Sequence, residues 1–351
     1  MFCFNCKFEI TKSLGNYPST DKDIIFFNFF PNLKIFNCEK CGIISVDHAT
    51  INKNDLDIFY EKHYEDIYGI DTTRRSDKNF RAKYNNNAKY VEKYINDYFQ
   101  SRSDGQYNAI SPYINSSTIN NILEFGAGLG LCLKAMGKRF PKAKLYYHEL
   151  NKSNLIKDRH IFVDQQNIKY DIIIMSHVLE HMLFPQNTVK YLLSRMNKNG
   201  ILVIDVPNQK KYILQYVKTD NLYSLALAPH LVFFSMKSIR NFFNDNFKEL
   251  ELLALKTSGG ADKSLSDQPF IRSTINTYRK QKLSLKGKVK KFLQSKMKPI
   301  FLLLSFLYNL NAPRYSFAER SINYDEDICM DIRVVLRLSS AKKATDGLNT
   351  N

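Results

Sequence analysis

The chain has 351 residues, 44% of them hydrophobic, and a formal net charge of +17. That apolar content excludes a disordered chain, and the length allows one domain of ordinary size with one or two small modules. No stretch reaches the ~18 apolar residues of a spanning helix, and the N-terminus MFCFNCKFEI lacks a signal-peptide core, so the sequence predicts a cytoplasmic location with reduced cysteines.

Four of the six cysteines form two C-x2-C pairs, Cys3 with Cys6 and Cys38 with Cys41. Each pair can turn both sulfurs toward one tetrahedral metal, and Gly42 supplies the positive φ that such a turn often needs. Disulfides are the weaker reading in a reducing compartment, and a redox pair needs only one such motif. Structural zinc on Cys3, Cys6, Cys38 and Cys41 is therefore expected, in a ribbon-like module over residues 1–50. Four protein ligands leave no open position, so this metal supports folding and not catalysis. Between the pairs, IIFFNFF and LKIFNC read as short strands. Cys132 and Cys329 sit among apolar residues and read as core.

From Asp55 to Gln100 the aromatic residues recur at helical spacing. These helices are expected to join the module to the main domain and to cover its active site, within a connector over 51–118. The Asn- and Ser-rich sequence of 101–120 reads as a linker.

The main domain is placed at 119–256, with a returning strand at 325–340. It opens with NILEFGAGLGLCLK, an apolar strand that ends in Glu124, passes through Gly126, Gly128 and Gly130, and enters a helix. Such glycines let the backbone turn sharply and approach a ligand, with helix N–H groups facing it. A nicotinamide site has a similar loop, but its fingerprint is G-x-G-x-x-G and the spacing here is G-x-G-x-G. The next strand, KLYYHE, ends in Glu149, where a carboxylate can accept hydrogen bonds from ribose hydroxyls. Then come the buried strand YDIIIMS, the segment HVLEHM, and a turn glycine leading into the strand of NKNGILVIDVPN.

This order resembles the class I S-adenosylmethionine-dependent methyltransferases, in particular the group with an L-E-H motif after the fourth strand. The resemblance covers about 120–255. It implies an α/β, Rossmann-like doubly wound sheet of seven strands whose last two form a hairpin, here 248–255 and 328–338. It implies that Gly126, Gly128 and Gly130 shape the methionine pocket with Glu124 nearby, that Glu149 binds ribose, and that Ser176 lines the cofactor site. Asp164 would sit near adenine, with a plain turn residue as the alternative. A double C-x2-C module ahead of this domain further resembles enzymes that methylate nucleotide-linked deoxysugars. Those proteins carry a large third domain that this chain lacks, so a sugar acceptor is expected without a commitment to C-methylation.

His177, Glu180 and His181 fall at i, i+3 and i+4, which would put them on one face of a helical turn at the carboxyl end of the fourth strand. His230 follows in the loop after strand five. Three readings stand side by side. A histidine can be the general base that takes a proton from a hydroxyl acceptor. The cluster also resembles a divalent-ion motif of certain RNA and quinone-precursor O-methyltransferases, with His177 in place of a carboxylate. Or Glu180 and His181 only cap a helix and shape the pocket wall.

Residues 257–324 form an insertion between strands six and seven. Arg279 to Lys298 holds nine basic residues and no acidic one, and PIFLLLSFLYNL follows. Residues 279–310 thus read either as a peripheral contact with the inner membrane surface or as a cover helix with its lysines in water. Residues 341–351 read as a disordered tail. The function expected is methyl transfer to a small-molecule, nucleotide-linked or lipid-linked sugar acceptor, as in surface-polysaccharide assembly. An RNA base methyltransferase is the alternative, weakened by SHVLEH where an N-P-P-Y-type motif would stand. A binding protein that kept only the fold is the third.

Overall fold

The computed structural model describes residues 1–17, 24–64, 88–151, 161–210, 213–214, 229–258 and 331–339. The N-terminal part contains β1 (Gly15–Asn16), α1 (Ile24–Phe29), β2 (Lys34–Asn37), β3 (Ile44–Val46) and α2 (Lys53–Lys62). IIFFNFF is largely helix α1, contrary to the strand expectation. Its aromatic residues lie three and four apart, so Phe26, Phe29 and Phe30 all meet Phe59 of α2 with ring centroids 5.3, 5.9 and 6.5 Å away.

Next comes α3 (Ala88–Ile110), which runs straight through the expected linker. Its last turns bury Arg102, Ser103, Gln106, Ala109 and Ile110, a helical spacing that polar composition concealed. Two single 3-10 turns then lead to β4 (Asn121–Phe125), α4 (Leu131–Gly137), β5 (Lys144–His148), β6 (Ile161–Val163) and β7 (Tyr170–Ser176). After β7 follow α5 (Pro185–Ser194), β8 (Met196–Pro207), β9 (Val232–Phe233), α6 (Met236–Asn246), β10 (Leu250–Ser258) and β11 (Asp331–Leu338).

Seven strands form one sheet in the order β10-β11-β8-β7-β4-β5-β6. Strands β4 to β8 are parallel, while β11 runs antiparallel to both β8 and β10. The last two strands therefore pair as expected, and β11 enters the sheet between β8 and β10. Parallel strands are covered on both faces and read as unbroken apolar runs, which is why Ile172, Ile173 and Ile174 are all fully buried. Alternate residues serve opposite cores. Leu123, Ile173, Leu202 and Val334 join one cluster, and Ile122, Ile172, Val203 and Val335 the other. The strand order reverses between β4 and β7, the position where such sheets open a ligand crevice at their carboxyl edge.

The cysteine-bearing module is continuous with the main domain. Its sheet, β1-β2-β3-β9, borrows β9 from the main domain, with Ile44 opposite Phe233 and Ser45 opposite Val232. Its buried residues belong to the same cluster as Leu179, Leu183 and Phe242. The expected insertion and tail fall almost wholly at 259–330 and 340–351, outside the described residues, as does Cys329. Among the described residues no helix is long and apolar enough to cross a membrane.

Candidate functional site

The glycine loop leaves β4 with Gly126, Gly128 and Gly130 all left-handed, at φ of +75°, +52° and +65°. The N–H of Gly126 donates to the carbonyl of His148 at 2.8 Å, tying the loop to the end of β5. A Cβ on Gly126 would lie 2.3 Å from Cγ2 of Val178, so that glycine is needed for the approach of the segment after β7. A Cβ on Gly128 would meet nothing within 4 Å, because it points into open space at the crevice. The N–H of Gly128 donates to Oε2 of Glu149 at 2.7 Å, and Oε1 of Glu149 accepts from the N–H of Asn151 at 2.9 Å. Loop and carboxylate are thus joined directly at the carboxyl ends of β4 and β5.

Glu124 is buried below the loop. Its Oε2 accepts from the N–H of Leu133 at 2.9 Å, and burial pushes its carboxyl up to about 8. Ser176, at the end of β7, accepts from Nε2 of Gln106 at 2.7 Å, and the same nitrogen reaches Oδ2 of Asp205 at 2.8 Å. Asp205 is gripped by the buried Arg333 at 2.7 and 3.0 Å, which holds its carboxyl down despite burial. Asp164 accepts from Arg195 at 2.8 and 3.3 Å and from the hydroxyl of Tyr170, so its carboxylate braces β6 against the end of α5. His148 stacks on Phe125 with ring centroids 4.4 Å apart.

The histidine cluster is assembled, though not on a helical face. His177 stands before the turn Leu179–His181 in a left-handed conformation, φ +55°, and its N–H donates to the carbonyl of Asp205 at 2.8 Å. Its Nδ1 lies 3.4 Å from Glu180 and its Nε2 lies 3.5 Å from Asp331. Burial and Arg102 pull its pKa down, but Asp331 and Glu180 together outweigh them and raise it to about 9. His177 is therefore an imidazolium near neutral pH, clamped between two carboxylates.

His181 and His230 differ from it. Burial lowers the pKa of both, so both rings are neutral. The Tyr60 hydroxyl lies 3.0 Å from Nδ1 of His181 and donates to the carbonyl of Pro229 at 3.3 Å. With that proton directed at the carbonyl, the hydroxyl's lone pair faces an Nδ1–H and the ring keeps its own lone pair on Nε2; with the proton directed at Nδ1 the tautomer reverses. Nδ1 of His230 lies 2.7 Å from Oε1 of Gln209, an obligate acceptor, so His230 also keeps its lone pair on Nε2. The two rings meet edge to face at 4.6 Å. Neither oxygen of Glu180 accepts a hydrogen bond among the described residues. One donor atom each from Glu180, His181 and His230 can be chosen within 4.8 Å of one another.

The cysteines converge as the spacing implied. Sγ of Cys3 lies 3.7 Å from Cys41, and Sγ of Cys6 lies 3.4 Å from Cys38. A tetrahedron with Zn–S bonds of about 2.3 Å has sulfurs about 3.8 Å apart, whereas a disulfide brings them to about 2.05 Å. The two knuckles are built alike: Gly42 is left-handed at φ +77° after Cys41, and Lys7 takes the matching conformation at φ +58° after Cys6. The donor set fits structural zinc.

Sequence reasoning named the glycines, Glu124, Glu149, the cysteines and the histidines as candidates. It missed Tyr60 and Gln209, which fix the two neutral rings, and Gln106, Arg102 and Asp331 beneath them. Tyr60 had one signal, its place on a helix expected to cover the site. Gln209 had none.

Residues 84–247 match a family model described as a methyltransferase domain. No curated protein matches the chain. Among solved structures, a coclaurine N-methyltransferase bound to N-methylheliamine and SAH is 12% identical, with 70% of this chain and 72% of that chain covered at a TM-score of 0.40. A plantazolicin methyltransferase in complex with a pentazolic analog and SAH is 12% identical, covering 82% and 98% at 0.40. An amino pentose methyltransferase from Micromonospora echinaspora, involved in calicheamicin biosynthesis, is 15% identical, covering 30% and 50% at 0.25.

Proposed function

We propose that this chain, which carries a class I S-adenosylmethionine-dependent methyltransferase domain, methylates a small hydroxylated acceptor of the sugar type, with His181 as the proton acceptor. The observation that carries this is a neutral, buried His181 just beyond the carboxyl end of β7, its Nδ1 3.0 Å from the Tyr60 hydroxyl. The Tyr60 proton is taken to point to the Pro229 carbonyl, which leaves the ring's lone pair on Nε2. The sugar class rests on the sequence resemblance of the cysteine module to deoxysugar methyltransferases.

In this reading the glycine loop and Glu149 hold the cofactor, with Glu149 turning from the N–H of Gly128 to the ribose hydroxyls. Leu150 and Val163, exposed beyond β5 and at the end of β6, offer apolar surface for adenine. Asp164 contributes by holding that edge in place through Arg195. The bound cofactor supplies a sulfonium-activated methyl group, so the protein mainly aligns the nucleophile. The acceptor oxygen forms a bond to the methyl carbon as the carbon–sulfur bond breaks, and the hydroxyl proton passes to Nε2 of His181. Glu180, 3.9 Å from that nitrogen, stabilises the imidazolium that results. His177 is already protonated and cannot accept the proton. It supplies the charge that balances Glu180 and Asp331.

A second reading puts a divalent cation between Glu180, His181 and His230, favoured by three converging donor atoms and an acceptor-only carboxylate. Against it, the imidazolium of His177 already stands 3.4 Å from Glu180. Activity that survives a chelator selects the first reading. The function itself is tested by incubating the protein with isotope-labelled S-adenosylmethionine and a cell extract, followed by mass spectrometry. Label in a small sugar-containing molecule supports it, and label confined to RNA replaces it with base methylation.

A further inference from the structure

The cysteine module and the histidine cluster meet through two consecutive residues. Nζ of Lys210 donates to the carbonyl of Gly42 at 2.7 Å, on the second cysteine knuckle. Among the described residues, the groups that act on this ammonium electrostatically are the sulfurs of Cys41 and Cys38, with Lys237 as the opposing cation. One residue earlier, the buried Gln209 accepts from Nδ1 of His230 at 2.7 Å. The backbone holds the pair in one short turn: the carbonyl of Gln209 accepts from the N–H of Ile213 at 3.1 Å, and the N–H of Lys210 donates to the carbonyl of Phe234 at 3.4 Å.

We propose that Lys210 is a positioning residue that couples the thiolate centre to His230. Zinc held by four thiolates carries two net negative charges, and a half-buried ammonium beside it is strongly retained. While Lys210 is drawn to the knuckle, Gln209 has one position, and His230 one tautomer. When that attraction is lost the turn relaxes, Gln209 no longer fixes Nδ1–H, and the His230 ring exchanges between tautomers against His181. The metal thus acts on the acceptor side of the site without touching the acceptor. The catalytic consequence rests on the function proposed above; the coupling itself does not.

The test uses the full-length, zinc-loaded chain labelled with 15N-histidine, with the His230 signals assigned from His230→Gln. Lys210→Met is expected to move the two ring nitrogens of His230 from a fixed Nδ1–H pattern toward averaged values, and to shift the thiolate absorption of the cobalt(II)-substituted protein. Lys210→Arg restores both. Gln209→Met releases the tautomer while leaving the cobalt spectrum unchanged. Turnover of Lys210→Met falls about tenfold at unchanged cofactor affinity, the usual scale for losing an outer-sphere contact. Lys210→Gln repeats the measurement should Lys210→Met fold poorly. Unchanged His230 nitrogens in both Lys210 variants overturn the coupling. Altered nitrogens in a protein that methylates nothing keep the coupling and count against the proposed function instead.

Discussion

The hydroxyl of Tyr60 sits 3.0 Å from Nδ1 of His181, so a residue from the helix that flanks the cysteine module meets the ring of a histidine after β7. If His181 is the base, His181→Ala lowers turnover by about two to four orders of magnitude with cofactor binding retained. Because burial lowers the His181 pKa, the rising limb of the rate–pH profile falls below the ordinary imidazole value of 6.5. Tyr60→Phe moves that limb and reduces the rate less than the alanine change. Steady-state rates at saturating cofactor across pH check this; near-normal turnover of His181→Ala leaves catalysis to alignment alone.

Gly126 gives a prediction about packing. An alanine there meets Val178 at 2.3 Å and must also hold φ near +75°. Gly126→Ala is expected to cost about 2–4 kcal/mol of stability, the sum of a clash and a strained backbone. Gly126→Ala with Val178→Ala removes only the clash, so thermal melts should show partial recovery. Full recovery would mean that the left-handed conformation costs nothing at this position.

What the sequence made legible follows from the range of the interactions. The seven-stranded sheet with its last two strands paired was legible from the order of motifs over 120–255, and the full burial of Ile172, Ile173 and Ile174 fits a central parallel strand. The glycine loop and Glu149 were legible as candidates because their chemistry is written in residue type, and the structure joins them through the N–H of Gly128. IIFFNFF was misread because a short apolar run has no period that separates strand from helix, and only Phe59, about thirty residues on, decides it. Residues 101–110 were misread because the buried Arg102 and Gln106 look like linker until Asp331 and Asp205 arrive as partners. His177 was placed on a helical face, yet its left-handed backbone brings it to Glu180 by another route.

Zinc is the next expectation. Protein purified without chelator should hold one equivalent on Cys3, Cys6, Cys38 and Cys41, and Cys38→Ser should lose most of it. Since the module shares its core with the main domain, metal loss should lower the melting temperature of the whole chain in one transition. Elemental analysis and calorimetry read both; metal below a tenth of an equivalent would sink the assignment.

The histidines also set the pH dependence of stability. His177 has a folded pKa raised to about 9 from 6.5, so its contribution is complete below pH 6.5 and is lost as pH rises toward 9. His181 and His230 are lowered, so the folded state resists their protonation and stability falls as pH drops below 6.5. His177→Gln should flatten the alkaline slope and, because the His177 charge helps to lower His181 and His230, make the acid slope shallower as well. Denaturant melts between pH 5 and 9 test it, and an unchanged alkaline slope would remove the charge assigned to His177.

Cofactor binding bears most directly on the account. The one measurement needed is calorimetric titration of S-adenosylmethionine into the wild-type chain and into Gly128→Val, with thermal melts to confirm that both are folded. The space beyond Gly128 is open and its N–H faces Glu149 at 2.7 Å, so a branched side chain there fills the crevice. The expected result is one site per wild-type chain and at least a hundredfold weaker binding in the variant. Equal binding by the two proteins, or none by the wild type, would contradict the assignment of this crevice to the methyl donor.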